Sequence, residues 1–68
     1  MTLTIELEQE ADGRWIAEIP QLPGVLVYGD TQDRAAQLVR ALAFRVLADR
    51  IEAGEVDADS VASVSFAA

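Results

Sequence analysis

The chain has 68 residues, no cysteine and no histidine, and a formal net charge of -7. A domain of this size buries only about 60% of its unfolded surface, so stability is marginal. Missing cysteine and histidine exclude a disulfide staple, a thiolate or imidazole metal site and the commonest general base. The acidic excess argues against phosphate binding, which draws on Lys and Arg, and favours a basic partner. Hydrophobic residues make up 51% of the chain, a globular composition. No apolar run approaches the roughly 20 residues of a membrane span, and the N-terminus does not read as a signal peptide. A cytoplasmic protein is expected.

Thr2 to Glu10 reads as strand one, with Leu3, Ile5 and Leu7 alternating against Thr2, Thr4, Glu6, Glu8 and Glu10. Asp12-Gly13 is a hairpin signal. Arg14 to Ile19 is strand two, with Trp15, Ala17 and Ile19 on one face. A two-residue loop would set Leu7 opposite Glu18, a mismatch of faces. A three-residue loop, Asp12-Gly13-Arg14, sets Leu7 opposite Ile19 and brings the apolar sets together, so it is the expected register. Gly13 would supply the left-handed residue.

Pro20 and Pro23 bracket a turn, because neither can donate to a ladder. Gly24 completes it, and Val25 to Tyr28 is strand three. Thr31 reads as a helix N-cap with Asp33 in the first turn, and the helix is expected over Gln32 to Ala53, stopped by Gly54. Glu55 to Asp59 is an acidic connector. Ser60 to Ala67 is strand four, with Ala62, Val64 and Phe66 on one face. The expected architecture is a single α+β domain over residues 1–68, β-β-β-α-β in two layers, with one helix on a sheet face.

The helix carries two apolar stripes. Ala35, Leu38, Val39, Leu42 and Val46 form one, expected to face the core; Phe44, Leu47, Ala48 and Ile51, with Arg40 beside them, form the other. A helix lying on one sheet buries only one stripe, so Arg40, Phe44, Leu47, Ala48 and Ile51 are the candidate partner or oligomer interface. On this reading Leu47→Glu disrupts assembly and leaves the fold intact. The alternative is that a curved sheet or the chain ends wrap the helix more fully.

Candidates for catalysis are few. Glu6, Glu8 and Glu10 alternate on one strand face, which reads as a solvated row. Asp30 reads as a turn residue, and Asp57 and Asp59 lack calcium-loop spacing. No phosphate loop, nucleotide fingerprint or nucleophile elbow occurs. Trp15 and Tyr28 are too few for a nucleic-acid stacking platform. Arg34, Arg40, Arg45 and Arg50 are spread around the helix rather than along one phosphate track. No catalytic residue, cofactor, metal, direct nucleic-acid contact or membrane contact is expected. A metal-dependent nuclease remnant is disfavoured.

Trp15-x-Ala17-Glu18-Ile19-Pro20-x-Leu22-Pro23-Gly24, followed by Gly29-Asp30-Thr31 and Ala35, resembles the N-terminal domain of HicB-like antitoxins. That resemblance implies a degenerate ribonuclease-H-like fold without catalytic activity, a mixed four-stranded sheet of order 3-2-1-4, and strand four parallel to strand one. It also implies a partner, a small basic RNA-cleaving toxin of the HicA type. Many family members continue into a C-terminal DNA-binding domain; the sequence ends after strand four, so DNA binding and autoregulation are not expected. Trp15, Pro20, Leu22, Pro23, Gly24, Gly29, Asp30 and Thr31 are read as fold-shaping residues. The function expected is a non-enzymatic antitoxin, with a homo-oligomer, dimer or tetramer. The alternative is an orphan oligomeric scaffold or regulator without a toxin.

Overall fold

A computed structural model describes all 68 residues. The elements are β1 (Thr2–Thr4), β2 (Glu6–Gln9), β3 (Trp15–Glu18), β4 (Leu26–Gly29), α1 (Gln32–Glu52), a 3-10 turn (Ala58–Val61) and β5 (Ser65–Ala67). β2, β3 and β4 form an antiparallel triple, while β1 and β5 form a parallel pair. The chain is therefore α+β, with mixed strand pairing and one helix. Leu3, Ile5, Ala17, Ile19, Leu22 and Val25 from the strands and turn meet Ala35, Val39, Ala43 and Leu47 from α1 in a core without a buried polar side chain.

The first hairpin closes over Ala11-Asp12-Gly13, one residue earlier than expected. The Glu10 N–H donates to the Arg14 carbonyl at 2.7 Å, and the Gly13 N–H donates back to the Glu10 carbonyl at 2.9 Å. Leu7 consequently pairs with Ala17 rather than Ile19, and Glu6 pairs with Glu18. The register is thus two residues from the expected one, which preserves every face. The reason lies in Gly13, whose φ is +95°. A three-residue hairpin places its left-handed residue last, not in the middle. Asp12 secures the turn by accepting from the Arg14 N–H at 3.1 Å and from Arg14 Nε at 2.9 Å. The Arg14 backbone N–H, with the side chain behind it, holds the Asp12 carboxyl below its ordinary pKa.

Strand one is interrupted at Ile5, and Pro20 explains where. Extending the β2–β3 register would set Thr4 opposite Pro20, which has no N–H to donate. The ladder ends at Glu18, and the Gln21 side chain takes over. Its Oε1 accepts from the Thr4 N–H at 3.1 Å, and its Nε2 donates to Thr4 Oγ1 at 3.0 Å. On the opposite edge the Ile5 N–H donates to the Ala67 carbonyl at 2.7 Å, tying the interruption to β5.

Thr31 caps α1 as expected, its Oγ1 accepting from the Arg34 N–H at 3.1 Å. The helix ends at Glu52 with Ala53 as its cap, one residue before the expected end. The Glu55 N–H reaches the Arg50 carbonyl at 2.9 Å and the Gly54 N–H reaches Ile51 at 3.0 Å, the reciprocal bonds of a Schellman stop. Strand four is shorter than expected, Ser65–Ala67 instead of Ser60–Ala67. Asp57 caps a 3-10 turn by accepting from the Asp59 N–H at 2.9 Å, and Ser60 Oγ donates to the Asp57 carbonyl at 2.6 Å. These local bonds compete with a ladder for the same backbone, so Ala62 ends a turn rather than entering the strand.

Gly29 lies opposite Trp15 and beneath the first turn of α1. A Cβ there would stand 2.6 Å from the Ala35 nitrogen and 2.8 Å from its Cα. Backbone cannot yield as a flexible side chain can, so Gly29→Ala must lift the helix from the sheet. We expect a loss of about 2–3 kcal/mol, the upper range for overpacking. That corresponds to a fall in Tm of roughly 10–20 °C for a domain this size, readable by thermal circular dichroism.

Candidate functional site

Two surfaces remain once the core is assigned: the outward side of α1 and the sheet face away from it. The helix is rotated relative to the expected orientation. Its core line is Ala35, Val39, Ala43 and Leu47, at strict i, i+4 spacing, with Leu42 and Val46 half-buried beside it. Leu47 is only 4% exposed, which removes it from the candidate interface. The helix approaches the sheet closely at Gly29 and Ala35, and Ala43 and Leu47 continue the buried line from that contact. Ile51 is half-buried, while Arg40, Phe44 and Ala48 stay exposed.

The C-terminal strand accounts for part of this. Phe66 of β5 meets Phe44 edge-to-face, with ring centroids 5.6 Å apart and planes at 80°. The Arg40 guanidinium lies 5.7 Å from the Phe66 ring centroid. Arg40 and Phe44 are therefore brought together around Phe66, although Phe44 remains 53% exposed. The chain end wraps one flank of the helix, as the alternative reading of the two stripes had it, and leaves Ala48 open.

From the sequence, Glu6, Glu8 and Glu10 read only as a solvated row on one strand face. Glu6 and Glu8 of β2 and Glu18 of β3 project from the outward sheet face, with Ile16, Leu26 and Tyr28 among them. Glu6 and Glu18 are direct cross-strand partners, and Glu8 pairs with Ile16, which in turn pairs with Tyr28. Glu6, Leu7, Glu8, Ile16 and Glu18 line a shallow concavity of about 230 Å³. Leu26 and Tyr28 are 41% and 46% exposed. The Arg14 guanidinium sits 4.5 Å from the Tyr28 ring centroid but is committed to Asp12, in the one ion pair of the chain. No cation therefore answers Glu6, Glu8 or Glu18. Glu10 stands apart, half-buried at the start of the hairpin. The signal that could have singled out this face is cross-strand: two glutamates brought opposite each other, beside exposed apolar side chains.

The acids do not converge as ligands, for no group of three or more carboxylates, cysteines or histidines is placed to hold a metal ion. No helix is long and apolar enough to cross a membrane. The fold-shaping residues occupy the places expected of turns and caps. Leu22 is buried under the proline-bounded turn, its N–H donating to the Ile19 carbonyl at 3.0 Å, while Pro20, Pro23, Gly24 and Asp30 are exposed. Trp15 is half-buried against the core. Comparison with protein-family models, with curated proteins and with solved structures finds no match to the chain.

The rotation of α1 reverses the consequence expected for Leu47. Leu47→Ala should cost about 2–4 kcal/mol, the range for emptying a core leucine site. Leu47→Glu should unfold the domain, since an uncompensated buried carboxylate costs more than a chain of this length can spare. Phe44→Ala should cost about 1 kcal/mol, chiefly its edge-to-face contact. Urea denaturation of the three variants orders these effects.

Proposed function

We propose that the chain is a non-enzymatic antitoxin of the HicB-like family, acting in the cytoplasm by direct binding of a small basic RNA-cleaving toxin of the HicA type. The observation that carries this reading is the outward sheet face, where Glu6, Glu8 and Glu18 stand without a counter-cation beside Ile16, Leu26 and Tyr28. Apolar contact area with acids set around it suits a cationic protein surface: the apolar part supplies burial, and the charge supplies encounter rate and partner choice. The turn and cap motif from Trp15 to Thr31 supports the family assignment. The antiparallel β2–β3–β4 triple, with β5 parallel to β1, supports a single sheet of order 3-2-1-4 in the ribonuclease-H-like manner, the interruption at Ile5 counted as one strand. The carboxylates serve recognition in this reading, consistent with a side-by-side array that does not converge as ligands.

A second reading is an orphan homo-oligomer without a toxin, favoured by the exposure of Phe44 and Ala48 on the helix. The two readings separate at the sheet face. Glu18→Lys turns the like-charged Glu6–Glu18 pair into an attractive one, so it should stabilise the free domain by about 0.5–1 kcal/mol. The same change should weaken binding of a basic HicA-type ribonuclease at least tenfold, as like charge opposes like across the interface. Urea denaturation measures the first effect, and calorimetric binding with an RNA-cleavage assay measures the second. An orphan oligomer would show the stabilisation, bind no such ribonuclease, and leave RNA cleavage uninhibited.

A further inference from the structure

We propose that the outward face of α1 is the interface of a homodimer in which the helices of two copies pack antiparallel, with Arg34 of each copy opposite Glu52 of the other. This goes beyond the toxin reading and does not depend on it, because the face lies on the far side of the helix from the sheet.

The geometry starts from spacing. Opposite the core line, α1 presents Arg34, Leu38, Ala41, Arg45, Ala48 and Glu52, at alternating steps of four and three. That is the seam spacing of two helices wrapped at a shallow angle. All six are exposed except Leu38, which is half-buried.

The sizes along the seam are self-complementary when the second copy runs the other way. A two-fold axis at the level of residue 43 sets Arg34 against Glu52, Leu38 against Ala48 and Ala41 against Arg45, and then repeats the three pairs in reverse. In the two inner pairs a large side chain faces an alanine, and in the outer pair Arg34 faces the opposite charge of Glu52. A two-fold interface must use the same patch on both copies, and this pattern does so. Ala41 and Ala48 alone would say nothing of a partner; the charges at the two ends do.

Those charges are placed against their own helix. A helix favours acids in its first turn and bases in its last. Asp33 and Arg50 obey that rule. Arg34, in the first turn, and Glu52, the last helical residue, break it on the seam. Neither has an ion-pair partner within its own chain, where the one ion pair is Arg14–Asp12. An antiparallel second helix corrects both misplacements at once. It brings Glu52, with Asp49 one turn before it, to the positive end of the first helix, and Arg34 to the negative end. A parallel pairing would instead set Arg34 against Arg34 and Glu52 against Glu52. Phe44 flanks the seam near the axis, where the two copies of its ring approach from the same side.

The test is a charge swap on the full chain, read by sedimentation equilibrium at low and high salt. The wild-type chain should dimerise, more weakly at high salt. Arg34→Glu and Glu52→Arg should each raise the dissociation constant about tenfold or more, since by symmetry each reverses two pairs. The double variant, R34E/E52R, should recover the wild-type constant. Both positions are exposed, and thermal circular dichroism checks that each variant folds. Glu18→Lys, on the sheet face, should leave the dimer unchanged whether or not a toxin binds there. A wild-type monomer at all concentrations overturns the proposal. So does a dimer indifferent to the single changes, or one that the double change fails to restore.

Discussion

The approach of α1 to the sheet at Gly29 governs the rest of the structure. Ala35 sits where a side chain on Gly29 would be, and Ala17 of the sheet and Ala43 of the helix are both fully buried. A helix that lies this close has its rotation set by which residues are small enough to face the strands. Ala35 and Ala43 satisfy that condition, and Val39 and Leu47, on the same i, i+4 line, are buried with them. Leu42 and Val46, half-buried, lie at the margins of that line. In a core of ten residues there is no second layer to correct a misplaced helix, and the tight contact near its capped end holds the orientation.

This explains which parts of the fold were legible in the sequence. The hairpin, the proline-bounded turn, the Thr31 cap and the Gly54 stop each rest on local chemistry, and local chemistry is written in adjacent residues. The faces of β2 and β3 were legible because alternation fixes them. Their register was not, because sliding by two residues keeps every face and only the last-position rule for Gly13 decides it. The rotation of α1 was not legible either. Hydrophobicity marks two stripes on that helix, and the choice between them lies in the fit of Ala35 and Ala43 to a strand that is remote in sequence. The end of β1 was hidden for a similar reason, since Pro20 and Gln21 act on Thr4 across a turn that no periodicity reveals.

The acidity and the apolar helix surface were legible in the sequence, but their places on the molecule were not. Composition pointed to a basic partner, and the helix pointed to an exposed apolar surface. The structure separates these two properties. Acid without a counter-cation gathers on the outward sheet face, where strand pairing brings Glu18 of β3 beside Glu6 of β2. The exposed helix face is instead mixed in charge, with Arg34 and Arg45 alternating with alanines and Glu52. A surface of that kind carries no acidic excess to attract a strongly cationic partner.

A like-charged pair such as Glu6 and Glu18 weakens the sheet that carries it, and a small domain has little stability to spare. The same holds for Arg34 and Glu52, each set against the dipole of its own helix. Both features are unfavourable in the isolated chain and become favourable when an opposite charge arrives from outside. They lie on the two outer faces of a two-layer molecule, with the apolar core between them, and neither shares a residue with the other. Occupying one therefore leaves the other open. In the proposed complexes each of these charges would meet an opposite one, so covering either face would relieve a cost that the isolated chain carries.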